Sequence, residues 1–214
     1  MRGQFTYITG ADGTGKTTQA KLLIERLESA GVPCKHLWLR FPFFLSLPLL
    51  AYARWKGYSW HEVTDGVDHG YWDFRNSWVL RFWLPWTLLV DAALASMSKV
   101  YLPLWMGKTI VCERFVYDML VDLAVAFDEF RVCMGLPGNI YRRLLPRRSC
   151  VIVLDLDTET IRLRRADLRR DRRLPRRLEL FRRLAEESYL PVISTLPAKG
   201  CVSDRLWTLV RDGD

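Results

Sequence analysis

Four apolar runs of strand length punctuate the chain: "QFTYIT" (4–9), "CKHLWL" (34–39), "KTIVCE" (108–113) and "SCVIVLDL" (149–156). They are rich in β-branched and aromatic residues and lack clean polar alternation, the pattern of parallel strands covered on both faces. "GCVS" (200–203) predicts a short fifth strand. Between the strands the period changes. Ala20, Leu23, Ile24 and Leu27 recur at helical spacing, and Gly31 followed by Pro33 stops that helix. "LELFRRLAEESYLPV" (178–192) predicts another helix. The alternation predicts an α/β fold with a five-stranded parallel sheet and helices on both faces. With 214 residues and no repeat or low-complexity tract, a single domain over 1–214 is expected.

The first strand runs straight into "GADGTGKTT" (10–18), which satisfies G-x-x-x-x-G-K-[ST] with Gly10, Gly15, Lys16 and Thr17. Glycines let successive backbone N–H groups converge on phosphate oxygens, and the helix start adds its dipole. The expected cradle is Gly10, Ala11, Asp12, Gly13, Thr14, Gly15, Lys16, Thr17 and Thr18. Lys16 would reach the terminal phosphates and the Thr17 hydroxyl would complete a magnesium shell, so ATP and Mg²⁺ are the expected cofactors. The fold expectation sharpens to a P-loop NTPase.

In a doubly wound sheet, ligands gather at the carboxyl ends of the strands. Those positions carry Arg40, Glu113, Arg114, Asp155 and Asp157, although the strands themselves are apolar. Two arginines beside a phosphate cradle predict a second anionic group.

Charge and cysteine usage narrow the partners. The net charge is +8, but residues 162 to 183 alone hold eleven arginines against Asp167, Asp171 and Glu179. Like charges at i, i+4 repel along a helix, so "RLRRADLRRDRR" (162–173) reads as a lid over phosphate, spanning about 162–177, rather than as a nucleic-acid surface. Five cysteines without a C-x-x-C pair, apart from His36, His61 and His69, predict no metal centre and no disulfide framework. A reduced, cytoplasmic protein with buried thiols is expected. "FPFFLSLPLLAYA" (41–53) is short and holds two prolines, while "WVLRFWLPWTLLVDAALASM" (78–97) is broken by Arg81, Pro85 and Asp91. Neither is expected to span or contact a membrane. Seven of the nine tryptophans lie in 55–105, and most of them are expected in the core.

These residues resemble the thymidylate kinase family of P-loop nucleoside monophosphate kinases. The resemblance rests on "TGADGTGKTTQAKLL", "LRFP" (39–42), "CERFVYD" (112–118) where the family has Asp-Arg-Tyr/His, and "VLDLDTETIRLRR" (153–165) before the lid. It implies transfer of the γ-phosphoryl group of ATP to a nucleoside 5′-monophosphate, in a homodimer packed through helices. Lys16 and magnesium would hold the donor, with Asp12 near the reacting phosphates and Glu113 at the family's aspartate position as a metal residue. Arg40 and Arg114 would hold the acceptor phosphate. Arg164, Arg165 or Arg169 would close over the transferring group. Phe41 and Phe115, beside the two arginines, would line the acceptor pocket.

The chain departs from the family where small hydroxyl residues and Tyr-Gln usually follow, carrying Asp118, Met119, Asp122 and Leu123 instead. A carboxylate accepts from an exocyclic amine and does not suit the thymine O4, so Asp122 facing the base would favour cytosine or adenine. Two alternatives stay open. A deoxynucleoside kinase needs a carboxylate base after the second strand, where "LRFPFF" offers an arginine instead. A nucleotide-binding switch docking through the tryptophan-rich middle would need no phosphotransfer.

Overall fold

The computed structural model describes residues 3–41, 43–64 and 67–212. The chain begins with β1 (Phe5–Gly10), α1 (Lys16–Ser29), β2 (Cys34–Trp38) and α2 (Leu47–Trp55), followed by an antiparallel hairpin, β3 (Ser59–Thr64) with β4 (Val67–Trp72). Next come α3 (Trp78–Ser96), a π-helical turn (Met97–Tyr101), α4 (Leu102–Trp105), β5 (Thr109–Glu113) and α5 (Val116–Phe127). Two short helices, α6 (Arg131–Met134) and α7 (Leu136–Arg142), lead to β6 (Ser149–Asp155). The chain finishes with α8 (Thr158–Arg164), a 3-10 turn (Ala166–Leu168), α9 (Leu174–Glu187), β7 (Val192–Ser194) and α10 (Lys199–Asp212).

Strands β1, β2, β5, β6 and β7 form a parallel sheet in the order β2-β5-β1-β6-β7. Alternate residues of its central strands face opposite layers, as the pleat requires. Phe5, Tyr7, Cys112, Val151 and Val153 pack into the larger cluster, with α3, α5 and α9. Ile8, Val111, Ile152 and Leu154 pack with Ala20, Leu23 and Leu27 of α1 and with Val202, Leu206 and Val210 of α10. Burial on both faces is why these strands read as continuous apolar runs.

The fifth strand is not 200–203. It is β7, paired with β6 from Val153↔Val192 to Asp155↔Ser194, whereas residues 200–203 open α10. Val202, Leu206 and Val210 recur every four residues and seat that helix on the sheet, and this long-range burial outweighs the strand-like look of four residues. Cys112 is buried as expected and Cys34 and Cys150 are half-buried, whereas Cys201 stands exposed on α10; Cys133 is buried as well.

Residues 78–105 also differ from expectation. α3 carries Pro85 inside it and continues through the π turn into α4, giving a helical run of 28 residues that is long and apolar enough to cross a membrane by length and composition. Within the fold that run is partly core: Leu80, Leu84 and Leu88 are fully buried. Asp91 does not break it. Its carboxylate accepts from the N–H groups of Phe44, Leu45 and Ser46 and from the Ser46 hydroxyl, fixing the loop that starts α2. Among the described residues no tryptophan is fully buried, and Trp55, Trp78 and Trp105 are each more than 70% exposed, against the expectation of a tryptophan core.

The arginine-rich stretch does not form one helix. α8 ends at Arg164, a 3-10 turn follows, and α9 begins only at Leu174, with Pro175 in its first turn. The acids after β6 are structural: Asp157 caps α8 through the Thr160 N–H, and Asp155 accepts from Arg182 Nε.

Candidate active site

Gly10 ends β1 with φ 137°, and a Cβ there would stand 2.3 Å from the carbonyl oxygen of Leu154. At Gly13, with φ 86°, a Cβ would meet Ile161 of α8 at 2.6 Å and Leu168 of the 3-10 turn at 3.1 Å. Both positions exclude a side chain. The loop then enters α1, whose first-turn N–H groups have no intrahelical partner and suit an anion. Lys16 is buried and donates to the carbonyls of Gly10 (2.7 Å) and Ala11 (2.8 Å), with Asp12 Oδ1 at 3.5 Å. Burial pushes its pKa down against the pull of Asp12. The Thr14 hydroxyl also donates to the Ala11 carbonyl.

Two neighbouring strands deliver the opposite wall. Just past β2, Phe41 has φ 42°, and just past β5, Arg114 has φ 61°. Left-handed backbone at a non-glycine residue costs about 1–3 kcal/mol and gathers where function imposes it. The Arg114 guanidinium pairs with Asp12. Burial alone would raise the Asp12 pKa, but the charges of Lys16 and Arg114 hold its carboxyl well below the usual carboxylate range. Glu113, the last residue of β5, accepts from the Thr17 hydroxyl at 2.6 Å through Oε2, and His36 Nε2 lies 2.6 Å from its Oε1. Arg40 donates Nε and Nη2 to Asp122 Oδ2 at 3.1 and 2.7 Å, and Arg177 of α9 stands 3.7 Å from Asp122 Oδ1.

Beneath these charges Asp118 is 2% exposed. It accepts from the hydroxyls of Tyr7 (2.6 Å) and Thr9 (2.8 Å), while its Oδ1 has no hydrogen-bond partner. Burial raises its pKa, although Lys16 and Arg114 pull the other way. The folded protein therefore binds this proton more tightly than the unfolded chain. Stability is expected to fall as pH rises from about 4 through the raised value. Asp118→Asn keeps an acceptor and removes that slope. Its melting temperature relative to the parent should therefore increase from pH 4 to pH 7, and a constant offset would refute the assignment.

Two cavities flank this charged seam. One, of about 730 Å³, runs along the P-loop and is lined by residues 12–19, Trp38, Arg114, Arg164, Arg165 and the loop 195–198. The other, of about 300 Å³, is walled by Trp38, Phe41, Phe43 and Trp72, with Arg40, Asp122, Arg173 and Arg177. Phe41 and Phe43 stack at 5.4 Å, and Trp72 tilts against Phe41 at 5.4 Å. Trp38 borders both cavities, and Asp12, Arg114, Asp118, Asp122 and Arg177 line the gap between them. A wider furrow of about 930 Å³ between α1 and α10 holds no strand end and none of the loop's glycines.

The fold thus gathers Gly10 through Thr18, Arg40, Phe41, Glu113, Arg114, Asp122, Arg164 and Arg165 around one seam. Phe115 goes elsewhere: it is fully buried, edge-on to Phe5 and Tyr7, because its backbone turns inward where α5 begins. Asp122 borders the aromatic cavity but presents its carboxylate to Arg40, so it does not stand free to read a base. Arg164 donates to the Thr195 carbonyl, Arg165 is forked on Asp167, and Arg169 is exposed outside the cleft lining. Arg177, Phe43, Trp72 and the loop 195–198 were not anticipated. Arg177 sits one turn beyond Arg173 on α9, a helical spacing that was available to be read.

No protein-family model matches the chain. Curated proteins do. The chain is 30% identical over 216 residues to the thymidylate kinase of Pelotomaculum thermopropionicum, covering 95% of this chain and 86% of that one. It is 32% identical over 173 residues to a probable thymidylate kinase of Pyrococcus horikoshii, covering 79% and 72%. It is 29% identical over 210 residues to the thymidylate kinase of Symbiobacterium thermophilum, covering 94% and 84%. With such identity over most of both chains, the chain belongs to the thymidylate kinase family as an ATP-dependent phosphotransferase of the nucleoside monophosphate kinase class.

Proposed function

We propose that the protein transfers the γ-phosphoryl group of ATP to dTMP or another pyrimidine nucleoside 5′-monophosphate, with Mg²⁺, as one domain spanning the chain. The observation that carries this reading is the placement of Arg40 and Arg114 at the ends of adjacent strands, between a P-loop cleft and an aromatic cavity. A nucleoside acceptor would need a carboxylate base after β2, and this position holds an arginine engaged with Asp122. Arg177 Nε, buried without a hydrogen-bond partner beside Asp122, adds a donor for phosphate oxygens. The cytosine or adenine argument loses its group, because Asp122 serves Arg40.

The donor lies along the P-loop, its phosphates on the loop N–H groups and Lys16, its adenine beside Leu196, Pro197 and Ala198. Thr17 and Glu113 bring two hard oxygens together next to that cradle, and among the described residues no group of three or more His, Cys, Asp or Glu gathers for a metal. Such a sparse oxygen set fits magnesium, which keeps several waters and binds through phosphate; when bound it neutralises phosphate charge. Arg114, held by Asp12, lies where donor and acceptor phosphates meet, and Arg164 and Arg165 border the cleft on its other side. With no covalent work for the protein, catalysis rests on positioning and charge neutralisation.

ADP release from magnesium-ATP, with each nucleoside and each nucleoside monophosphate offered separately, tests this reading. Turnover of dTMP is expected. Turnover of nucleosides alone would sink it, and turnover of purine monophosphates alone would sink its pyrimidine choice.

The homodimer rests on the exposed face of α3. Phe82, Trp83, Val90 and Leu94 along that helix, and Met97 at the start of the π turn, are each more than 40% exposed. Apolar patches of this kind mark contact surfaces. Leu94→Glu is expected to convert a dimer to a monomer in light scattering at micromolar concentration; an unchanged mass would place the interface elsewhere. Five unpaired cysteines suit a reducing, cytoplasmic setting.

A further inference from the structure

The parallel sheet is complete without β3 and β4. The hairpin they form lies against the aromatic cavity, lending it Gly70 and Trp72. A two-stranded hairpin is marginal by itself, so its placement depends on what it packs against. α2 packs against β3, and Trp72 rests on Phe41, Phe43 and Phe74; the arginine-rich stretch supplies the polar contacts. Arg173 sets its guanidinium 5.9 Å from the Trp60 ring centre and 5.2 Å from that of Tyr71, and donates Nη1 to the Trp72 carbonyl. Arg172 Nη2 stands 3.5 Å from Glu62 of β3.

The other end of the same stretch touches the donor site. Ile161 and Leu168 pack over Gly13, and Arg164 and Arg165 border the P-loop cleft. One short segment thus abuts the P-loop at its start and the hairpin at its end. Ligands couple when each changes the contacts of an element they share.

We infer that hairpin β3–β4 is a flap over the acceptor pocket and that Arg173 is the positioning residue through which ATP binding sets the flap. The acceptor half of this inference rests on the function proposed above. The guanidinium matters because it lies over two rings while donating a hydrogen bond, which a compact ammonium reproduces poorly.

Hydrogen exchange with AMP-PNP and magnesium as the probe tests the coupling without any acceptor. In the parent protein the nucleotide should slow exchange in peptides covering 10–18 and, about tenfold, in those covering 59–72. Arg173→Ala and Trp60→Ala should each abolish the second effect and leave the first, and the double variant should lose no more than either single one. Hairpin exchange that ignores AMP-PNP in the parent, or that still responds in Arg173→Ala, overturns the inference.

Kinetics with dTMP give the second readout. Trp60 is not among the residues lining the aromatic cavity, so a contact with the acceptor does not account for its effect. Trp60→Ala and Arg173→Ala should raise the acceptor KM about tenfold with little change in kcat, and Arg173→Lys should not rescue. An unchanged KM in Trp60→Ala refutes the flap. If the parent takes no monophosphate at all, the proposed function fails, while the exchange result still decides the coupling.

Discussion

Lys16→Met is expected to lower kcat by about 10³-fold, the cost of removing a positioned charge from a transferring group, while the melting temperature stays within a few degrees. The first half follows from position. Lys16 is the first residue of α1, and its ammonium lies among the carbonyls of Gly10 and Ala11 at the start of the loop. The second half follows from burial. At 5% exposure the charge is held at a desolvation cost, which is why its pKa is pushed down despite Asp12. Methionine fills the same stem volume without that cost. Two of the three groups left behind retain partners: Asp12 keeps Arg114, and the Ala11 carbonyl keeps the Thr14 hydroxyl. Steady-state ATP turnover and a thermal melt check both halves. A melting point lowered by ten degrees or more would show that the lysine mainly holds the loop together.

Arg40→Lys is expected to raise the acceptor KM about 10- to 100-fold, as befits a charge-assisted hydrogen bond worth about 1.5–3 kcal/mol, with the ATP KM unchanged. Two nitrogens of the guanidinium fork onto one oxygen of Asp122, which fixes its plane at the mouth of the aromatic cavity. The Asp122 charge, chiefly, raises the Arg40 pKa further, so the guanidinium stays charged at any working pH. Lysine supplies a point charge without the fork. Asp122→Asn should produce a smaller rise, since Arg40 then loses the charge that aims it. If the ATP KM rises and the acceptor KM does not, Arg40 belongs to the donor side.

Whatever depended on local pattern was legible in the sequence. The apolar runs gave β1, β2, β5 and β6, and the charged residues at their ends pointed to one rim because a parallel sheet puts its carboxyl ends together. What depended on distant packing was not. β7 is three residues long and takes its identity from pairing with β6, and 200–203 turns helical because Val202, Leu206 and Val210 meet the sheet. The hairpin did leave a signal, alternation around Asp65-Gly66 in "YSWHEVTDGVDHGYW", a turn-favouring pair between aromatic flanks. The residues 65 and 66 themselves lie outside the described residues. Phe115 shows the limit of arguing from adjacency: one residue past Arg114 in sequence, it points into the core, because the backbone turns at Arg114. The Arg40–Asp122 pair spans 82 positions, and no local pattern announces it.

Gly13 carries a consequence for how such a protein can change over generations. With Ile161 and Leu168 pressed to within 2.6 and 3.1 Å of where a methyl would sit, the loop and the segment above it are one interlocking shape. A larger residue at 13 would have to bear φ 86° and displace both side chains, so the three positions constrain one another. A chimera that grafts a relative's arginine-rich segment onto this chain has to present side chains no larger than Ile161 and Leu168 above Gly13, or the two surfaces will collide.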